Sequence, residues 1–264
     1  MKLIKITVLI IFLCWLASGF TIAFIKPIRF AVIGDTHVGL EDSIYKQVIN
    51  ELKNEDIDFI INLGDITQSG LKTQYNEYID ATNSLDIPVY NVIGNHDIEG
   101  NGKTLYEDYF GASYRSFNYE GLHIIFLDNV SQSGLGNAQK EWLEQDLAEN
   151  DKPVIVCMHI PVYDPTKKFP NRCFMDDDSR YLTKLAEVYN VKYILAGHVH
   201  GYAKGEKNGV VYIISGGAGG KLTMQRHRQN NFGCSHIVYD GVTFHHYILM
   251  EYNGQTLTDN YIKI

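Results

Sequence analysis

At 264 residues the chain is long enough for one sizeable domain with a real core. Its 45% hydrophobic and 20% charged content is ordinary for a globular fold, and the absence of a conspicuous repeat or low-complexity stretch excludes solenoid and low-complexity architectures. A formal charge of −8 argues against a surface that tracks a polyanion, since nucleic-acid binders gather positive charge on one face.

Residues 1–27 read as a segment apart from the domain expected over 28–264. Lys2 and Lys5 make the start basic, and residues 6–25 carry no charge, with only Thr7, Ser18 and Thr21 breaking the apolar run. About 20 such residues in a helix cross the roughly 30 Å hydrocarbon layer of a membrane. Ala17-Ser18-Gly19 is a cleavage-like set of small residues, so removal of a signal peptide near Phe20 stays open. Apolar sequence continuing over 21–25 suits an uncleaved signal anchor better. Lys2, Lys5 and the amino terminus slightly outweigh Lys26 and Arg29, which points the domain out of the cytoplasm, membrane-anchored or, after cleavage, secreted. Leu13 before Cys14 argues against a lipid-modified cysteine. Of the remaining cysteines, Cys157 reads as packing, and Cys173 with Cys234 allows a bridge without establishing one.

From residue 28 the pattern alternates strand, loop and helix. Strands are expected over 28–33, 56–63 and 88–93, with helices over 43–54 and 71–83, the first with Ile44, Val48, Ile49 and Leu52 on one side. A short helix follows over 102–110, then a hairpin of 115–119 and 122–127 turning at Glu120-Gly121. Asn137 is the expected cap of a helix over 138–149, with Gln139 and Lys140 on its exposed face. A strand over 153–158, a helix over 178–189, and strands over 192–196 and 210–215 complete this part. The five residues Gly216 to Gly220 read equally as a tight connection or as a close approach to the active site. The C-terminal part reads as a meander over 235–239, 242–252 and 256–264, with turns at Asp240-Gly241 and Asn253-Gly254. The fold class is α/β: a layered sandwich of mixed sheets flanked by helices.

Metal-binding side chains stand at the ends of five of these strands. Asp35-Thr36-His37 and His198-Val199-His200 each place two donors two residues apart, the spacing at which extended backbone points them the same way. Asp65 and Asn95 each follow a glycine, and His159 follows the strand over 153–158. Singly each has a plain explanation: a turn cap for Asp35, or a half-buried imidazole beside Pro161 for His159. Repetition at five strand ends asks for one common cause, and a metal cluster supplies it.

The series Asp35-x-His37, Gly64-Asp65, Gly94-Asn95-His96-Asp97, His159 and Gly197-His198-x-His200 resembles the calcineurin-like metallophosphoesterase superfamily over about residues 29–200. The resemblance implies a β-sandwich flanked by helices and a bimetallic centre. It implies that Asp35, His37, Asp65 and His200 hold one metal, and Asp65, Asn95, His159 and His198 the other. A carboxylate suits the shared position because each oxygen can bind a different cation. The mixed donor set favours zinc, manganese or iron over calcium or magnesium. Two such ions about 3.5–4 Å apart hold a hydroxide that attacks phosphorus in line. By the same resemblance His96 is the catalytic histidine facing substrate rather than a ligand. Asp97 reads as an orienting or capping residue rather than a ligand. His123 reads as structural, and His227, between Arg226 and Arg228, as part of a solvated basic loop or a contact to an anionic substrate group. His236, His245 and His246 offer no ligand spacing.

The implied function is metal-dependent hydrolysis of phosphomonoesters or phosphodiesters, on a small phosphorylated substrate. Gly64-Asp65-Ile66-Thr67 lacks the tyrosine that follows this aspartate in purple acid phosphatases, which places that branch in doubt. Two competitors remain: an inactive, membrane-tethered binding ectodomain on the same fold, and a nuclease, which the acidic charge disfavours.

Overall fold

The structure, a computed structural model, describes residues 26–131, 134–165, 176–222 and 244–264. Two mixed sheets stack face to face. The first has the order β11-β10-β1-β2-β3, built from β1 (Ile28–Ile33), β2 (Phe59–Asn62), β3 (Val89–Asn91), β10 (His246–Tyr252) and β11 (Leu257–Lys263). The second has the order β4-β5-β6-β7-β9-β8, from β4 (Arg115–Tyr119), β5 (Leu122–Phe126), β6 (Val154–Met158), β7 (Val191–Ala196), β8 (Tyr202–Lys207) and β9 (Val210–Ser215). Strands β1, β2 and β3 are parallel, as are β5, β6, β7 and β9; β10, β4 and β8 join antiparallel at the flanks.

Strand alternation builds three apolar layers. Phe30, Val32, Phe59, Ile124, Phe126, Ile155, Leu195 and Ile213 point between the sheets. Ala31, Ile33 and Ile60 point outward, under α1 (Tyr45–Leu52), α2 (Lys72–Thr82) and α3 (Gly102–Phe110). On the other sheet Ile125, Val156 and Ile194 lie under α4 (Gly136–Glu149) and α5 (Asp176–Val188). Parallel strands covered on both faces need apolar runs, which 154–158 is throughout and 28–33 and 191–196 are after Arg29 and Lys192. Cys157 sits inside the sandwich, and burial pushes its thiol upward, consistent with a packing role.

Several expectations are corrected. The strand over 202–207 was not anticipated: Tyr-Ala-Lys-Gly-Glu-Lys is too polar to read as a strand, yet it forms a flank whose outer residues face water. Its turn, Asn208-Gly209, has both central φ values positive, 53° and 81°, as a tight hairpin requires. Glu120-Gly121 repeats this at 44° and 91°. Helix α4 starts at Gly136, so Asn137 lies within its first turn and caps nothing. Gln139 is buried rather than exposed: its amide accepts from Asp128 N at 2.9 Å and donates to Asp128 O at 2.8 Å. The amide satisfies the backbone of Asp128, two residues past β5, which removes the cost of burying it. Expected features at 235–239, Asp240-Gly241, Cys173, Cys234, His227, His236 and residues 1–25 lie outside the described residues.

Candidate dinuclear metal centre

All the parallel strands that carry candidate donors end at one edge, so their loops converge there. Asp35, His37, Asp65 and His198 have φ of 58°, 43°, 49° and 68°, a left-handed conformation that costs a residue with a Cβ on the order of 1–3 kcal/mol. Four donors held this way mean that the surrounding loops over-determine their placement. Backbone bonds do part of this: Asp35 N–H donates to Gly64 O and His37 N–H to Asp65 O, at 3.0 and 2.9 Å. The turn at Gly94 comes so close that a Cβ would overlap the backbone nitrogen and a carboxylate oxygen of Asp65.

Asp97 ties two of these loops together. Fully buried, its carboxylate accepts from Ile66 N, Thr67 N, Thr67 Oγ1 and Gly94 N at 2.9–3.1 Å. Burial pushes its pKa up to about 7, with the nearby Asp65 charge adding to the shift and the backbone donors opposing it. These four bonds make it an orienting residue of the loops. Asn129, overlooked in the sequence, clamps the loop of β6: Oδ1 accepts from His159 N and Ile160 N at 3.2 and 3.1 Å. Its signal was available, for Asp128-Asn129 follows the apolar strand β5 as the other site loops follow theirs.

The side chains gather in two groups that share Asp65. One ligand atom from each of Asp35, His37, Asp65 and His200 lies within 4.8 Å of the others, and the same holds for Asp65, His159 and His198. Asn95 Oδ1 lies 3.1 Å from His159 Nε2, beside the second group. Every residue predicted as a ligand is therefore brought together. Asp65 Oδ2 lies between the groups, 3.6 Å from His37 Nε2 and 3.2 Å from His159 Nε2, while Oδ1 accepts the His96 N–H at 2.8 Å.

The ring nitrogens show what the groups are built for. His200 Nδ1 donates to Lys221 O, His159 Nδ1 to Leu63 O, and His37 Nδ1 to Gln68 Oε1, at 2.9–3.0 Å. A ring that donates through Nδ1 presents, when neutral, a lone pair at Nε2. His37 Nε2 then faces His200 Nε2 at 3.0 Å, and His159 Nε2 faces Asn95 Oδ1, Asp65 Oδ2 and His198 Nδ1, at 3.1–3.3 Å. Lone pairs converging on lone pairs and carboxylates fit divalent cations.

The electrostatics agree. Burial works against the charged forms of Asp35 and Asp65, yet the facing imidazoles hold both carboxyls below their ordinary range. Burial likewise opposes protonation of His159, but Asp65 more than reverses it and lifts the ring to about 9; Asp35 does the same for His200 in direction. His37 goes the other way, to about 4, because burial dominates. Two buried carboxylates thus call for two positive charges at this spot, and bound cations supply them while leaving the rings neutral.

His96 stands at the rim, its side chain 30% exposed, with Nδ1 2.7 Å from Gln68 O and its ring 4.7 Å from that of His37. The run from Gly216 to Gly220 adopts the close-approach alternative: a Cβ on Gly220 would lie 2.6 Å from His37 Cδ2 and 2.9 Å from His200 Cε1. His123, buried between Asn118 and Asp146, is structural as expected. His246 is engaged with Ser215 and Phe244, and His245 with Gly217, outside both donor groups.

Residues 28–202 match the calcineurin-like phosphoesterase family. The chain belongs to that family. A calcineurin-like phosphoesterase is a phosphoric ester hydrolase, and the family uses dinuclear metal centres. A probable cyclic nucleotide phosphodiesterase of Fibrobacter succinogenes is 26% identical over 193 residues, 66% of this chain and 73% of that protein. A second, from Ruthia magnifica, is 23% identical over 237 residues, 89% of this chain and 93% of its own length. Among solved structures, purple acid phosphatase PPD1 from yellow lupin superposes with a TM-score of 0.71 at 17% identity, over 90% of this chain. That likeness concerns the fold alone, and the chain spans 52% of the lupin protein.

Proposed function

We propose that this phosphoesterase hydrolyses phosphodiester bonds of small nucleotides, with cyclic nucleotides as the substrate class, by a dinuclear metal-dependent route. The observation that carries the dinuclear reading is the sharing of Asp65 between two donor groups. The choice of diester over monoester follows the names of the two bacterial relatives above.

In this reading Asp35, His37, Asp65 and His200 hold one cation, and Asp65, Asn95, His159 and His198 the second. Zinc, manganese or iron there would supply Lewis-acid polarisation of the phosphoryl oxygens and acidify a water toward neutral pH. The chain's own groups do the rest. Asp65 keeps its two oxygens in separate roles, Oδ2 toward the donor groups and Oδ1 fixed by the His96 N–H. Leu63 O, Gln68 Oε1 and Lys221 O fix the ring poses of His159, His37 and His200. His96, anchored through Nδ1 and 30% exposed at the rim, has in its Nε2 a group that can stabilise the phosphoryl group or protonate the departing alkoxide.

The test is a panel on the purified full chain: a cyclic nucleotide, bis-para-nitrophenyl phosphate and para-nitrophenyl phosphate, each with manganese or zinc and with chelator. Diester turnover above monoester turnover, abolished by chelation and in Asp65→Ala, is expected. A monoester preference would move the protein to the phosphatases of its family, and no turnover on any substrate would restore the binding-ectodomain reading. For residues 1–27 we propose a membrane anchor that keeps residues 28–264 outside the cytoplasm. The full chain should then stay with membranes through carbonate washing, and its release into the wash would remove the anchor.

A further inference from the structure

Gln68 is the residue through which three parts of the site touch one another. Its side-chain Oε1 accepts the Nδ1–H of His37 at 2.9 Å. Its carbonyl oxygen accepts the Nδ1–H of His96 at 2.7 Å. Its own N–H donates to Val38 O at 2.9 Å, beside the bridge between Val38 and Thr67. The loop after β1, the loop after β2 and the loop after β3 therefore meet at one residue, three positions beyond Asp65.

These contacts split cleanly between side chain and backbone. Whatever residue other than proline stands at 68, the carbonyl stays available to His96 and the N–H to Val38. Only the Oε1 contact depends on glutamine, and it falls on His37 alone. An acceptor at Nδ1 fixes which ring nitrogen carries the proton and aims the other into the donor group. His37 has a particular need of this. Its Nε2 stands 3.0 Å from His200 Nε2 and 3.6 Å from Asp65 Oδ2, so a ring flip would point a C–H or an N–H at them. His159 and His200 meet the same need with backbone carbonyls, which no substitution removes. Among these three rings, His37 is the one whose pose rests on a replaceable side chain.

We propose that Gln68 is a positioning residue selective for one of the two cations: its amide oxygen holds His37 in the tautomer and pose that complete the group of Asp35, His37, Asp65 and His200. The group of Asp65, His159 and His198 is independent of it. The inference rests on the ligand assignment in the proposed function and goes beyond it, since it makes the two sites separable by one substitution outside the ligand set.

Two variants test this in the full chain. Gln68→Met keeps the length and volume of the side chain and removes the acceptor; Gln68→Glu keeps an acceptor oxygen at nearly the same place. Each is titrated with manganese or cobalt from the chelated state, reading the two stoichiometric steps and, for cobalt, the visible absorption of each. In Gln68→Met one step should weaken by roughly 10–100-fold, the usual cost of losing such an outer partner, while the other keeps its midpoint. Gln68→Glu should restore the weakened step. At saturating metal, diester turnover of Gln68→Met should return to near the parent rate, because the carbonyl that holds His96 is intact. Unfolding of the chelated proteins separates this from a general loss of structure, since Gln68→Met should still unfold in one cooperative step, lower only by the cost of one hydrogen bond. Unchanged steps in Gln68→Met, equal weakening of both, or failure of Gln68→Glu to restore affinity would overturn the proposal and leave the dinuclear reading standing. A parent protein that takes up no metal would overturn both.

Discussion

His96 and Asp65 are neighbours joined by a hydrogen bond, yet their side chains face different tasks. The bond runs from the backbone of His96 to Asp65 Oδ1 at 2.8 Å, so it survives any substitution at position 96. Removing the imidazole therefore leaves the metal donors in place and takes away only the group at the rim. His96→Ala should keep the metal content of the parent and lose roughly 10²–10⁴ in kcat on a diester with a poor alkoxide leaving group. On an activated aryl ester, whose leaving oxygen needs no proton, the loss should shrink. Metal analysis beside the two rates checks this; equal rates of parent and variant on the poor leaving group would take His96 out of the mechanism. Polar neighbours of the site are held by the same logic of divided labour. Asn62 Oδ1 accepts from Gly64 N at 3.2 Å while its Nδ2 donates to the Tyr78 hydroxyl, which in turn donates to Asn91 Oδ1 at 2.5 Å. This buried chain links the ends of β2 and β3 under the two loops that carry Asp65 and Asn95.

At the level of elements, the sequence disclosed what repeats and hid what is compensated. Each donor stands just past an apolar strand, and β2 and β6 are buried on both faces throughout, so their letters leave little choice of conformation. The donors of the site were legible for that reason. Strand β8 was not, because it is a flank: one face packs Ala203 and the other exposes Lys204 and Glu206, and such a mixture also suits a loop. The signal that would have found it is Asn208-Gly209, a hairpin turn between two runs of comparable length. Gln139 misled for a different reason. Polarity alone sends a glutamine to the outside of a helix, whereas here both ends of its amide are matched by the backbone of Asp128, and no local pattern reveals a partner 11 residues away. The same blindness covers Gln68 and Asn129, whose roles consist of bonds to loops 31 and 30 residues distant.

Across the whole molecule, the donors come from both halves of the sandwich. Asp35, His37, Asp65 and Asn95 follow strands of the first sheet, and His159, His198 and His200 follow strands of the second. Direct protein bonds already span this seam, from His159 Nδ1 to Leu63 O at 2.9 Å and from His198 N to Asp35 Oδ2 at 2.9 Å. Cations in the two donor groups would join the same halves more strongly and neutralise Asp35 and Asp65, which are no more than 2% exposed. An unfolded chain cannot assemble donors spread from position 35 to position 200, so metal binds the native state preferentially and stabilises it by mass action. A hundredfold excess of metal over its dissociation constant is worth about 2.7 kcal/mol per site. For a chain of this length that corresponds to a shift in Tm on the order of 5–10 °C. Thermal unfolding should therefore move down on chelation, and climb with the logarithm of free manganese or zinc over the range that restores turnover. Coincident unfolding curves with and without metal, at concentrations that do restore turnover, would mean that the ions serve the chemistry without bracing the sandwich, and the view of the site as a clasp between the sheets would have to be given up.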